Sequence, residues 1–247
     1  MDVTIDRESK YLYHYTSKEI LIEFILPTLN LKLNFLKNTN DPKEKKMSTK
    51  FAIKNIQFAG EYIELGGRLM EMVDKKLKVC CFSGDYLKDG DKHFGYQLVR
   101  MWATYGCNHQ GVCLVIDKEK FIEENDIDGI NSFLKEINYN SSASNQIYKE
   151  SRKLNTNYEQ AAEELLSYNF DRIFFTKHHD WLTENEIRFV TNLNRKFCTI
   201  ENSLTKIILG MDFNLKYRPS ISEQLKKRKI QIQRINYDHI SGELKLK

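Results

Sequence analysis

Fourteen residues, Lys177–Val190 (KHHDWLTENEIRFV), bring together two histidines, an aspartate, a tryptophan, a pair of glutamates two positions apart and an arginine. From Glu186 onward Ile187 and Phe189 alternate with Glu186, Arg188 and Val190, the period-2 pattern of a strand with one apolar face. If that strand reaches back to Glu184, then Glu184, Glu186 and Arg188 share a face. Two carboxylates on one face repel, and at least one pKa rises unless a cation or a ligand hydroxyl takes the charge, an arrangement that recurs at catalytic sites. The same residues also fit a solvated strand face carrying a surface Glu–Arg pair of little energetic weight.

Positioning such a strand requires neighbours, and several stretches qualify. Tyr11–Thr16 is a short aromatic strand, with Ser17 or Thr16 capping a helix that Pro27 ends. His14 then stands where strand meets helix and can face a ligand, or serve as one more core aromatic. Lys78–Ser83 and Gly111–Ile116 are nearly continuous apolar runs suited to buried strands. Tyr96–Tyr105 reads as a helix with Val99, Trp102 and Ala103 on one face. Phe133–Tyr139 reads as a strand, and Tyr158 to about Lys177 as a long helix capped from Asn155–Asn157. Residues 140–155 offer little to bury and read as a mobile insertion. Phe197–Ile200 and Leu204–Leu209 as strands or a strand and a turn, and a strand over Ile230–Ile235 with Glu243–Lys247 as a hairpin partner, complete a single α+β domain spanning 1–247, its core at about 11–238.

Composition narrows the classes. Hydrophobic residues make up 41% and charged residues 29% of 247, the balance of a folded chain able to bury a core. No apolar run approaches the ~18 residues of a membrane span, and the acidic, polar N-terminus MDVTIDRESK does not resemble a secretory signal. A cytoplasmic location and no membrane partner are expected. The five cysteines, Cys80, Cys81, Cys107, Cys113 and Cys198, form no CxxC pair, so neither a disulfide framework nor a structural zinc site is suggested. A net charge of +4 is compatible with a phosphate-bearing ligand but falls short of a nucleic-acid signature.

In order along the chain, Leu12-Tyr-His-Tyr-Thr-Ser17, Asn40-Asp-Pro42, Cys81-Phe-Ser83, Met101-Trp-Ala-Thr-Tyr105, Gly111-Val-Cys-Leu114 and Lys177…Trp181…Glu184-x-Glu186-x-Arg188 resemble the bacterial domain-of-unknown-function family 2971. Where family members often carry a histidine before the tyrosine of the Met-Trp block, this chain has Thr104, so no role for that histidine transfers. The family's layout is in turn similar to that of the ADP-ribosyltransferases. That resemblance implies split antiparallel β-sheets flanked by helices, NAD as substrate and no metal. It also implies an acceptor that is protein or nucleic acid, and leaves open a partner that restrains a toxin or anti-phage defence effector. By resemblance, His14, with Tyr15 and Thr16 beside it, contacts the NAD ribose, Ser83 or Tyr105 lies near the nicotinamide, Glu186 is the catalytic carboxylate and Glu184 orients the acceptor. The chemistry suits these types: breaking the nicotinamide–ribose bond develops positive charge on the sugar, which a positioned carboxylate stabilises. A near-neutral histidine donates to ribose oxygens without a permanent charge. Arg188 could pair with Glu184 or fork onto a pyrophosphate, and Trp102 or Trp181 could stack on a ring or belong to the core.

Two other readings compete. His178, His179, Asp180, Glu184 and Glu186 are acceptable ligands for magnesium or manganese in a metal-dependent hydrolase or nuclease, although adjacent histidines on one helix end point apart. A non-catalytic module binding nucleic acid through Lys226-Lys-Arg-Lys229 is the other, weakened because that run lacks interleaved aromatics.

Overall fold

Val112–Asp117 is buried at every position, as a strand covered on both faces must be. It lies inside an eight-stranded sheet. The computed structural model describes residues 3–6, 8–45, 59–140 and 157–247. Strands β1 (Val3–Ile5), β2 (Tyr11–Thr16), β3 (Asn30–Lys32), β4 (Lys78–Ser83), β5 (Tyr86–Lys88), β6 (Asp91–His93) and β7 (Val112–Asp117) occupy the first half. The second half contributes β8 (Ser132–Glu136), β9 (Asn138–Asn140), β10 (Thr176–His178), β11 (Glu186–Thr191), β12 (Phe197–Thr199), β13 (Leu204–Leu209), β14 (Gln231–Asp238) and β15 (Glu243–Leu246).

The large sheet has the order β15-β14-β13-β7-β2-β4-β11-β8. Its pairs are antiparallel except β13 with β14. Helices cover both faces, so strand parity decides which core each side chain joins. On one face Ala59–Lys75 and Tyr158–Phe174 pack Leu65, Leu69, Ala162 and Leu165 against Val79 and Val190. Farther along that face Trp102 packs with Tyr13, Tyr15, Cys113 and Ile208. On the other, Leu21, Ile25, Phe121 and Ile221 meet Leu12, Phe82, Leu114, Ile187 and Phe189. Each such fully buried side chain contributes about 1.5–3 kcal/mol through burial. The α+β reading of the sequence therefore holds, whereas in place of the split antiparallel sheets expected by resemblance the chain forms one large mixed sheet beside three small ones among the described residues.

One irregularity shapes the site. The pairing of β2 with β4 is confined to Tyr13 and Ser83. Toward its beginning β4 turns instead to Asn34, which exchanges backbone hydrogen bonds with Val79 at 2.9 and 2.7 Å. The sheet thus parts between β2 and β4, and the chain from Lys32 onward enters the gap.

Local differences from the sequence reading have physical reasons. The first helix runs past Pro27 to Thr28, because Leu21–Ile25 is a wider π-turn in which Leu26 N–H reaches Leu21 O, leaving room for the proline ring. Val99 and Ala103 are exposed while Met101 and Trp102 are buried, since only six residues are helical there. The expected strand over Phe133–Tyr139 breaks at Ile137 into β8 and β9, and the long helix stops at Phe174 so that β10 can pair with β9. The expected insertion at 140–155 lies, apart from Asn140, outside the described residues. Among the described residues no helix is long and apolar enough to cross a membrane.

Candidate active site

Where β2 and β4 part, a cavity of about 200 Å³ opens. Its walls include His14 and Tyr15 from β2, Cys81 from β4, and Tyr105, Lys177, Glu184 and Glu186. Lys32, Asn34 and Asn38–Asn40 line its other side.

The glutamates arrive by an elbow rather than along one strand. Glu184 ends a 3-10 turn over His179–Glu184, and β11 begins only at Glu186. Between them Asn185 takes a left-handed conformation, φ 47°, which asparagine tolerates better than most residues. Its side-chain amide donates to Gly84 O at 2.7 Å and Asp85 O at 3.0 Å, fixing the elbow to the end of β4. Both carboxylates then meet one ammonium: Lys177 Nζ lies 2.8 Å from Glu184 Oε2 and 2.5 Å from Glu186 Oε2. Tyr105 donates its hydroxyl to Glu184 Oε1 at 2.7 Å.

Arg188, read as a partner of Glu184 or a pyrophosphate contact, is fully buried, does not line the cavity and pairs instead with Glu186 and Glu44. Its Nε bonds Glu186 Oε1 at 2.7 Å, and its Nη1 lies 2.8 Å from Glu44 Oε1 and donates to Phe174 O at 2.8 Å. Glu44 also accepts a hydrogen bond from Thr39. Glu44, Glu184 and Glu186 against Lys177 and Arg188 make one buried network of three carboxylates and two cations, and Lys32 brings a further cation to the cavity's other side.

Burial alone would raise the Glu186 pKa, but Arg188 and Lys177 outweigh it and hold the carboxyl well below the usual range. Burial opposes the charge of Lys177 in the same way, and Glu186, Glu44 and Glu184 overcome it, raising the ammonium's pKa. Tyr105 is pushed up by burial and by Glu184, so its hydroxyl keeps its proton. Cys81 is pushed up by burial and by Glu186, so this cavity-lining thiol is a poor nucleophile.

His14 leaves β2 on the face opposite Tyr13 and Tyr15, packs edge-on to Phe82 at 5.8 Å and still reaches the cavity. Burial lowers its pKa, while its bond to Cys81 O at 3.1 Å acts the other way. A carbonyl only accepts, so Nδ1 carries the proton and the neutral ring offers Nε2 as an acceptor. The sequence reading had this histidine donating to ribose; its donor is already engaged.

Of the residues singled out from sequence, His14, Tyr15, Tyr105, Glu184 and Glu186 come together around one cavity. Thr16, Ser83, Trp102 and Arg188 do not line it. Thr16 is a buried ladder residue opposite Val112. Ser83 is fully buried and donates to Glu184 O at 2.8 Å. Trp102 is a core residue whose indole donates to Tyr96 O at 2.8 Å and whose ring meets Tyr15 edge-on at 5.1 Å. Even Tyr15 spends its hydroxyl elsewhere, on Gly95 O at 2.6 Å. His179 and Asp180 are exposed, and neither they nor His178 line the cavity. Trp181 lies with its ring 5.3 Å from Lys177 Nζ and 5.7 Å from the Arg100 guanidinium. Lys177, Glu44 and Tyr139, whose hydroxyl accepts from Glu186 N–H at 2.8 Å, were not foreseen. Only Lys177 had a signal, as the cation that opens the motif leading to the glutamate pair.

The profile of a family described as protein of unknown function (DUF2971) matches residues 101–189. That segment runs from the Met101-Trp-Ala-Thr-Tyr105 block through the glutamate elbow to Phe189, narrower than the resemblance drawn from motifs. No curated protein and no solved structure matches the chain.

Proposed function

From a chain carrying a DUF2971 segment that supplies Tyr105, Lys177 and both glutamates, we propose an ADP-ribosyltransferase-like enzyme that cleaves the nicotinamide–ribose bond of NAD. The observation that carries the reading is the pair Glu184 and Glu186, both on the wall of a cavity opened between β2 and β4 and both held by Lys177. In the reaction the bond between C1′ and the nicotinamide nitrogen breaks, its electron pair leaves with nicotinamide, and the acceptor bonds C1′ and releases its proton to solvent. Positive charge grows on the ribose meanwhile, and fixed anions in a site partly closed to water stabilise it.

Glu186 is kept ionised by Arg188 and Lys177 and supplies that field. Glu184, oriented by Tyr105, faces the attacking acceptor. His14 Nε2 accepts from a ribose hydroxyl. A cavity of about 200 Å³ suits the nicotinamide riboside end, leaving the rest of the dinucleotide in the opening past Lys32 and Asn34, since whole-ligand pockets begin near ~300 Å³. The acceptor is protein, nucleic acid or water; released nicotinamide reports the cleavage in every case. The test is to incubate the chain with NAD, with and without EDTA, and quantify nicotinamide by chromatography. Release that survives EDTA supports the reading. Release of nicotinamide by neither sample, or hydrolysis of nucleic acid only with added divalent metal, overturns it.

A further inference from the structure

The basic run Lys226-Lys-Arg-Lys229 contains no aromatic residue, yet folding brings aromatics to its end. Lys229 and Lys206 edge a second cavity, of about 350 Å³, lined also by Tyr11, Tyr13, Phe94 and Tyr96. Tyr13 is buried beneath it, while Phe94 and Lys229 are exposed at its rim. The rings of Phe94 and Tyr96 lie parallel, 5.3 Å apart and 8° from coplanar, and Tyr96 meets Tyr13 edge-on at 5.9 Å. Neither Lys206 nor Lys229 forms an ion pair among the described residues.

These aromatics are held by the backbone beneath them. Gly95 lies so close to Tyr13 that an added Cβ would stand 2.2 Å from its ring and 2.7 Å from Gly84 O, so only glycine brings this loop down onto the sheet. Its carbonyl accepts from Tyr15, and that of Tyr96 from Trp102. A preformed aromatic surface beside two ammonium groups that form no ion pair among the described residues matches a flat, electron-rich ring joined to an anion. Aromatic faces accept any base, and lysines act as point charges for phosphate.

We propose that this cavity binds one nucleotide unit, its base against Phe94 and Tyr96 and its phosphate at Lys206 and Lys229. The unit is a free nucleoside monophosphate or one residue of a single strand. The inference stands apart from NAD cleavage, although Tyr13 lines both cavities.

The test uses the full chain without NAD, titrated with AMP by calorimetry and with a fluorescein-labelled hexanucleotide by anisotropy. Wild type is compared with Phe94→Ala and with the double variant Lys206→Gln/Lys229→Gln, which change accessible side chains. Each variant is expected to bind at least about tenfold more weakly, and the lysine variant to lose most of the salt dependence. Equal affinity for the two probes assigns the site to free nucleotide, and hexanucleotide bound about tenfold tighter or more assigns it to a strand. Absence of binding by both probes, or variants that bind like wild type, overturns the proposal, whatever the result for nicotinamide release.

Discussion

The ammonium of Lys177 lies 2.5 Å from Oε2 of Glu186, and both residues are at least 96% buried. An ion pair removed from water is weak support for stability when intact, but breaking it strands a charge. Since Lys177 also holds Glu184, Lys177→Met leaves the two carboxylates facing each other without the ammonium they share. Urea denaturation at pH 7 should show a loss of about 3–5 kcal/mol; a loss under about 1 kcal/mol contradicts the shared-cation geometry.

The left-handed elbow at Asn185 gives a second test. Asn185→Gly keeps the backbone conformation but loses the donors to Gly84 O and Asp85 O. A cost of about 1–3 kcal/mol is expected, because two hydrogen bonds in a buried setting go unmade. Nicotinamide release should fall as well, since the carboxylates lose their common orientation. Unchanged stability and unchanged release would show that the elbow does not position them.

His14 sets a pH dependence whose sign follows from its lowered pKa. The unfolded chain takes up a proton near ~6.5, whereas folded His14 does so only at lower pH. Its contribution to stability is therefore complete above that value and is lost as pH falls from it toward the folded-state pKa. Unfolding free energies between pH 7.5 and 5 should decline more steeply for wild type than for His14→Gln. Parallel curves would mean that the imidazole is not held neutral.

How far the sequence revealed this arrangement depended on whether the signal was local. β4, β7, β11 and β13 announced themselves because continuous or alternating apolar residues dictate burial directly. Of the glutamate pair only Glu186 was legible in this way, since Glu184 reaches the cavity through the Asn185 elbow and not along β11. Parity says which residues share a face but not which face lies over a cavity: Ser83, offered by resemblance beside Tyr105 as a nicotinamide contact, is core, and of the two readings of Trp102 the core one holds. Arg188 looked available because nothing nearby in sequence announces Glu44, which reaches it only through the fold. The parting of β2 from β4 was equally hidden, since it arises from Asn34 taking the place beside Val79 that a neighbouring strand would otherwise fill.

Ser83 separates a structural role from a contact with NAD. Its hydroxyl is committed to Glu184 O, away from solvent. Ser83→Ala should cost about 0.5–1.5 kcal/mol of stability and leave the Michaelis constant for NAD unchanged. A large rise in that constant with unaltered stability would return Ser83 to the binding site.

The central claim is that Glu186 acts on substrate as a charge beyond serving as an ion-pair partner. The most direct measurement compares nicotinamide release from NAD by wild type and Glu186→Gln, each shown by circular dichroism to be folded. The claim predicts release by wild type and a loss of at least about a hundredfold in the variant, the scale of removing one electrostatic group from a reacting centre. Equal release by the two folded proteins would contradict it.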